Sequence, residues 1–203
     1  MIKKIVLIAI ALVSFLSLEV QAGISEDVVK ESIVKHSMEM GVDPALALSI
    51  AKKESGFKHE LKSPYGAVGV FQVLPSTAKK IGYNPYYLNE NIKAGLTYYK
   101  MMYKMFGSTE LALAAYNAGP GNVKKYGGTI PPFRETKRFV NIIMSDYREQ
   151  KLNPDPVITK YAKKAAIAPE NEVEVSNAQK PVDLPDLREI PEPRQDETAM
   201  EIL

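Results

Sequence analysis

The chain of 203 residues is long enough for one domain of ordinary size with extensions. With 45% hydrophobic and 25% charged residues, its composition is that of a globular protein. The lack of cysteine excludes a disulfide framework and a thiolate metal site. The two histidines, His36 and His59, are isolated in the sequence, so solvated or structural roles are predicted for them and no metal site is expected.

The net charge of +2 hides an asymmetry between the body of the chain and its end. Residues 23–169 carry 21 Lys/Arg against 13 Asp/Glu, whereas residues 170–203 carry three against ten. A basic body favours a polyanionic partner, which could be nucleic acid, a membrane surface or an anionic polymer such as a cell wall.

The N-terminus has the pattern of a secretory signal peptide over residues 1–22. Lys3 and Lys4 precede an apolar run over residues 5–18, and small residues follow it at Val20-Gln21-Ala22. The run is short for a membrane span, although an uncleaved membrane anchor is the alternative. We therefore expect an exported protein that begins near Gly23 and acts in the periplasm or cell envelope.

The elements that follow are predicted to be helical. Asp43-Pro44 is a helix start signal and Gly56 a stop signal, and a loop rich in Ser, Pro and Gly occupies residues 57–69. The sequence shows no convincing run of alternating strands, so the predicted fold is mainly α, packed from several short helices. Apolar periodicity places these helices at residues 25–40, 45–55, 89–106, 111–117 and 135–149, with another helix entry at 75–78.

The composition changes after Lys151. Prolines recur among acidic residues, which argues against a packed core. We expect a folded domain over 23–150 and a largely disordered extension over 151–203, with a short helix at 157–168. The extension is interpreted as solubilising or tethering, and binding to a partner such as a cell-envelope machine is the alternative.

Glu54 stands out because of its position on the second predicted helix. Burial and the negative end of the helix dipole would both raise the pKa of an inward-facing carboxyl there, as a general acid near neutral pH requires. A surface glutamate at a fraying helix end is the alternative, and periodicity alone does not decide between them. The inward orientation follows from continuing the spacing of the apolar face formed by Leu46, Ala47, Ile50 and Ala51.

Four ordered blocks of sequence surround this residue. They are Glu54-Ser-Gly-Phe57, Ser63-Pro-Tyr-Gly-Ala-Val-Gly-Val-Phe-Gln72 with Pro75-Ser-Thr-Ala78, Ala115-Tyr-Asn-Ala-Gly-Pro-Gly-Asn-Val123, and Pro132-Phe-Arg-Glu-Thr136. The ordered set, which covers about residues 25–148, resembles the soluble lytic transglycosylase family, whose catalytic domain is similar to goose-type lysozyme. The resemblance implies a lysozyme-like bundle of short helices with a substrate cleft and no cofactor.

The resemblance also carries roles to matching positions. Structural alternatives remain open for three of them: a core tyrosine at 116, a loop amide at 72 and a helix cap at 135. Two departures from the family pattern are Phe71, where methionine is usual and an apolar cleft wall is expected, and Phe139, where many relatives have tyrosine. The implied site consists of the catalytic acid Glu54 and the substrate contacts Ser63, Gln72, Tyr116, Asn117 and Glu135.

The resemblance further implies cleavage of the β-1,4 bond between N-acetylmuramic acid and N-acetylglucosamine in peptidoglycan. Glu54 would act as acid and then as base, while the 6-hydroxyl of the sugar closes a 1,6-anhydro ring. No second carboxylate beside Glu54 is an obvious base or nucleophile, in contrast to ordinary glycosidases. Hydrolysis by a muramidase and a non-catalytic peptidoglycan-binding module are the alternatives. A nucleic-acid binder is disfavoured because no binding motif is recognisable.

Overall fold

The computed structural model describes residues 24–167. The predicted signal peptide and the acidic stretch over 170–203 lie outside the described residues. Within them the structure contains isolated bridges but no β-strand, and none of the helices is long and apolar enough to cross a membrane. The helices are α1 (Glu26–Glu39), α2 (Pro44–Ser55), α3 (Pro75–Lys80), α4 (Leu88–Phe106), α5 (Thr109–Ala118), α6 (Pro120–Lys125), α7 (Arg134–Leu152) and α8 (Pro156–Ile167).

The boundaries of α2 confirm the start and stop signals in the sequence. The Asp43 carboxylate accepts a hydrogen bond of 2.9 Å from the Ala45 backbone N–H, and Pro44 occupies the first turn, where it forfeits no helical hydrogen bond. Gly56 ends the helix with φ 58°, in the left-handed region that glycine adopts without steric cost. These two residues fix the length of the helix and therefore place Glu54 in its last turn.

Helix α5 lies at the centre of the bundle and contacts α4, α6 and α7. Its residues from Ala112 to Tyr116 are buried, as expected for a helix that is apolar on all sides. Helix α2 packs against α1 and α7, so the helix with Glu54 and the helix with Glu135 are direct neighbours.

Residues 120–125 form a short helix that is not among those predicted from apolar periodicity, because Pro120 occupies a first helical position after Gly119. Tyr103 and Ile142 are large hydrophobic residues of α4 and α7 that are 46% and 39% exposed. The buried faces of these two helices are therefore narrower than their hydrophobic residues suggest.

Helix α8 confirms the short helix expected near residues 157–168. It packs against α1: Val157 is buried, and the Lys160 ammonium lies 2.6 Å from the Glu31 carboxylate. Asp155, just before the helix, pairs with Lys30 at 3.1 Å. Packed structure therefore continues past residue 150, where the end of the folded domain was expected.

The segment between α2 and α3 has no regular secondary structure, and the buried side chain of Asn91 in α4 holds it in place. The Asn91 amide oxygen accepts from the Phe71 N–H at 2.9 Å, and its nitrogen donates to the carbonyls of Val68 and Pro85 at 2.9 and 3.1 Å. Gly69 lies against this amide, because a Cβ there would come within 2.3 Å of it. One fully buried amide thus satisfies three backbone groups of two loops.

We expect Asn91→Ala to destabilise the protein by about 2–4 kcal/mol, because it leaves buried backbone donors and acceptors without partners. Chemical denaturation gives this free energy of unfolding. The matched control is Asn89→Ala on the exposed side of the same helix, where the side chain accepts only a solvent-exposed hydrogen bond from Ser32. We expect this substitution to cost less than about 1 kcal/mol. Equal effects of the two substitutions would contradict the role given to Asn91.

Candidate active site

Glu54 lies in the last turn of α2, next to a residue that fixes the end of this helix. The Ser55 hydroxyl donates to the carbonyl of Val70 at 2.9 Å, which ties the helix end to the loop that follows. The Glu54 side chain is itself partly buried and forms no ion pair or hydrogen bond within residues 24–167. Its carboxyl group is therefore surrounded by protein without a partner that would stabilise its charge.

Burial raises the pKa of Glu54 from its ordinary value of 4.5 to about 8. Desolvation of the charged form is the largest cause, Lys53 lowers the pKa, and the negative charge of Glu135 raises it further. The side chain retains some solvent exposure although protein atoms surround it closely, as suits a group that must meet a substrate. The inward orientation and the rise in pKa by burial expected from the sequence are confirmed, whereas the helix dipole is not among the causes of the rise.

Tyr116 of α5 is buried and faces the same region. Its hydroxyl donates to the carbonyl of Phe71 at 2.7 Å, and its ring stacks on Phe139 with centroids 6.5 Å apart and an angle of 10° between planes. Burial raises the pKa of Tyr116 well above its ordinary value, and the charges of Glu54 and Tyr98 raise it further. The tyrosine is therefore neutral, and Glu54 lies near enough to raise its pKa.

Helix α7 brings Glu135 to this region and orients Asn117. The Thr136 hydroxyl, fully buried, donates to the Asn117 side-chain oxygen at 2.8 Å across the α5–α7 contact. Glu135 lies 3.9 Å from the Lys53 ammonium, which is also 5.5 Å from the centre of the Phe139 ring. Glu54, Tyr116, Asn117 and Glu135 are thus brought together where α2, α5 and α7 meet.

Ser63 and Gln72 lie in the loop between α2 and α3, and both have internal hydrogen bonds. The Ser63 hydroxyl accepts from the Ala67 N–H at 3.0 Å. Gln72 adopts a φ of 45°, and its amide nitrogen donates to the carbonyls of Gly69 and Leu61 at 2.8 and 3.1 Å. Both side chains thus stabilise the loop, and their contact with substrate stays a prediction.

The expectation that Phe71 forms an apolar wall of a cleft is wrong. Its side chain has no solvent exposure and packs against Gly95 of α4, where a Cβ would lie 2.4 Å from the phenylalanine. The large ring at residue 71 is accommodated because residue 95 has no side chain. Phe139 is likewise 1% exposed and belongs to the core beneath Tyr116.

The roles of four residues that shape the site were not predicted from the sequence. Asn91 shares a helical face with Gly95 and Met102, and a polar residue on a buried face is a signal that could have revealed it. The other three give no such signal, since their roles depend on contacts with distant segments: Lys53, Ser55 and Thr136.

The two histidines have structural contacts away from this region. His36 is buried, with its Nδ1 atom 2.9 Å from the Glu39 carboxylate. The Nε2 atom of His59 lies 3.1 Å from the carbonyl of Tyr86. No group of three or more residues suited to hold a metal ion occurs within residues 24–167.

Residues 31–137 match the family described as Transglycosylase SLT domain. The chain belongs to this family. The match contains Glu54 and the other five predicted site residues. The lysozyme-like, mainly α fold expected from the sequence is thereby confirmed.

Two curated relatives are similar to this chain in sequence. The soluble lytic murein transglycosylase of Salmonella typhimurium is 32% identical over 128 residues, which cover 51% of this chain and 20% of the relative. The transglycosylase of Enterobacteria phage PRD1 is 28% identical over 148 residues, covering 72% of this chain and 53% of that protein. The chain therefore spans about a fifth of the soluble murein transglycosylase it matches, and about half of the phage protein.

Two solved structures of lytic transglycosylases are similar in fold to this chain. The 70 kDa soluble lytic transglycosylase of Escherichia coli superposes with a TM-score of 0.55 and 27% identity, over 63% of this chain and 25% of that one. An inactive mutant of the lytic transglycosylase Slt from Pseudomonas aeruginosa, with a glutamate replaced by glutamine, gives 0.54 and 28%, over 62% and 25%.

The raised pKa of Glu54 makes the stability of the SLT domain depend on pH. An unfolded chain loses the Glu54 proton near pH 4.5 and the folded chain near pH 8, so the wild type loses stability as pH rises through this window. Because glutamine does not ionise, we expect the unfolding free energy of Glu54→Gln to exceed that of wild type by an amount that grows from pH 5 to pH 8. The gain should be on the order of a few kcal/mol in unfolding free energy.

The control for this comparison is Asn141→Ala on the exposed side of α7, which removes no ionisable group, so we expect its pH dependence to equal that of wild type. Parallel pH profiles for wild type and Glu54→Gln would show that the carboxyl titrates normally.

Proposed function

We propose that this protein is a peptidoglycan lytic transglycosylase. It cleaves the β-1,4 bond between N-acetylmuramic acid and N-acetylglucosamine and leaves a 1,6-anhydromuramic acid end. The observation that carries the proposal is the carboxyl group of Glu54, whose pKa is raised to about 8 within an SLT domain. Support comes from relatives named as lytic murein transglycosylases and from the inactive glutamate-to-glutamine mutant of the Pseudomonas aeruginosa protein.

Glu54 first acts as a general acid. With a pKa of about 8 its carboxyl group is protonated at neutral pH, so it can donate to the glycosidic oxygen as the bond to C1 breaks. The N-acetyl group of N-acetylmuramic acid stabilises the positive charge that develops at C1. The leaving sugar departs with the proton, and Glu54 is left as a carboxylate.

Glu54 then acts as a base. The carboxylate removes the proton from the 6-hydroxyl of the same sugar, whose oxygen attacks C1 and closes the anhydro ring. The carboxyl group is protonated again at the end, so no proton is gained or lost and no water is consumed. Lys53 supports the step in which Glu54 is charged, because its ammonium stabilises the carboxylate.

Neighbouring side chains are proposed to bind the glycan around this carboxyl. Tyr116 and Asn117 are each held by a hydrogen bond to a separate element, so a sugar would meet them in fixed orientations. Glu135 is proposed to shape the same site, and Ser63 and Gln72 to contact the sugar from the loop between α2 and α3.

Hydrolysis by a muramidase is the second candidate function, and Glu135 is the observation that favours it. This carboxylate is near enough to raise the pKa of Glu54 and could activate a water molecule, as the base of an inverting glycosidase does. Its contact with Lys53 at 3.9 Å argues against this role, because the ammonium competes for the same oxygen.

Action in the periplasm or cell envelope is proposed from the predicted signal peptide over residues 1–22. A chain beginning near Gly23 in the periplasmic fraction would support export.

Mass spectrometry of products from purified peptidoglycan tests the proposed reaction. We expect wild-type protein to release anhydromuramic ends, and Glu54→Gln to lose turnover by about a thousandfold or more because both proton transfers are lost. Glu135→Gln is the matched variant, and we expect it to turn over more slowly with the same anhydro product.

Two results would overturn this account. Products with reducing ends and no anhydro sugar would establish a muramidase if Glu135→Gln no longer forms them. Unchanged biological activity in Glu54→Gln would favour a non-catalytic peptidoglycan-binding module.

A further inference from the structure

A cavity of about 260 Å³ lies apart from the residues assigned to catalysis. It opens between the loop that follows α2 and the loop that precedes α4, and it contains none of the predicted site residues. Its lining consists of His59, Glu60, Leu61, Lys62, Val68, Pro85 and Tyr86.

The two walls of this cavity are fastened to each other. The His59 Nε2–H donates to the carbonyl of Tyr86 at 3.1 Å, which links one loop to the other. Asn91 makes a second link, since its amide nitrogen donates to Val68 on one wall and Pro85 on the other. Because side chains hold both loops, the cavity is formed before any ligand arrives, which lowers the entropic cost of binding.

The lining matches the surface of a saccharide. Tyr86 is 63% exposed and Leu61 39%, and together with Val68 and Pro85 they offer apolar contacts for the C–H faces of a sugar ring. Glu60 and Lys62 provide charged hydrogen-bonding groups for hydroxyl and acetamido substituents. The volume is just below the roughly 300–1,000 Å³ of pockets for drug-sized ligands and therefore suits a single sugar unit.

An unsatisfied polar atom belongs to the same wall. Because His59 donates from Nε2 to a carbonyl, Nδ1 is the acceptor nitrogen, and within residues 24–167 this buried atom has no hydrogen-bond partner. A buried acceptor without a donor is unfavourable. A hydroxyl or amide N–H of a bound sugar would donate a hydrogen bond to Nδ1 after a small shift of the imidazole ring.

The cavity is connected to the predicted catalytic region through the loop backbone. The carbonyl of Leu61, which lines the cavity, accepts hydrogen bonds from the Gln72 side chain at 3.1 Å and from the Gly69 N–H at 2.9 Å. The wall of the cavity and the segment with Gln72 are therefore one hydrogen-bonded unit. A chain of sugars bound beside Gln72 has the cavity as a neighbour.

We propose that this cavity is an accessory saccharide subsite, with Tyr86 as its stacking surface, that binds one N-acetylated sugar unit of a glycan strand away from the bond that is cut. The identity of its ligand rests on the proposed function, because that function makes peptidoglycan the source of the strand. The subsite adds affinity for longer strands and takes no part in proton transfer.

Binding of peptide-free glycan strands of increasing length tests this subsite. Isothermal titration calorimetry on Glu54→Gln protein gives the dissociation constants without cleavage. We expect affinity to increase once strands reach the cavity, and Tyr86→Ala in the same background to weaken binding of those strands by roughly three- to tenfold. Tyr86→Trp should retain the increase, because it preserves a stacking surface.

Tyr87→Ala is the matched control, since Tyr87 is also 63% exposed but does not line the cavity. We expect its affinity for every strand to equal that of the background protein. Equal affinities of Tyr86→Ala and Tyr87→Ala for the longer strands would overturn the subsite. It would also be overturned if affinity increased with strand length only for strands that carry stem peptides. Retained turnover in Glu54→Gln would instead refute the proposed catalysis, so the two failures are distinguishable.

Discussion

The backbone of residues 68–71 forms hydrogen bonds with side chains of three helices, and the arrangement of the site depends on these bonds. Ser55 of α2 and Tyr116 of α5 donate to the successive carbonyls of Val70 and Phe71, and Asn91 of α4 bonds to Val68 and Phe71. A buried segment without regular structure must find partners for its polar groups. Because Ser55 of α2 and Tyr116 of α5 are the partners of these backbone groups, the loop is fixed in position relative to Glu54 and Tyr116.

The electrostatic state of Glu54 follows from a second set of contacts, which hold α2 on α7. The Asp43 carboxylate accepts from the Tyr147 hydroxyl at 2.9 Å and pairs with Lys151 at the same distance, and Asp146 accepts from Ser49 at 2.8 Å. This packing buries the last turn of α2 and brings Glu135 near Lys53. Desolvation then outweighs the attraction of Lys53, and the carboxyl group keeps its proton at neutral pH.

Much of the fold and part of the site could be predicted from the sequence. Helix boundaries at Asp43 and Gly56 follow from local capping chemistry, which depends only on residues close in the chain. Helical periodicity makes an inward-facing Glu54 one of two alternatives, and the tertiary structure decides between them. The burial of Phe71 could not be predicted, since it depends on the space left by Gly95, 24 residues away. The hydrogen bonds of Ser55 and Thr136 likewise require the tertiary structure, and so does the cavity beside Tyr86.

Direct titration of the Glu54 carboxyl group tests whether this group keeps its proton at neutral pH. Carbon-detected NMR of protein with ¹³C-labelled glutamate side chains, compared with Glu54→Gln to assign the resonance, follows the ionisation of this group alone. We expect a midpoint at a pKa of about 8. A midpoint near the ordinary value of 4.5 would leave the carboxyl ionised at neutral pH and contradict its role as the proton donor.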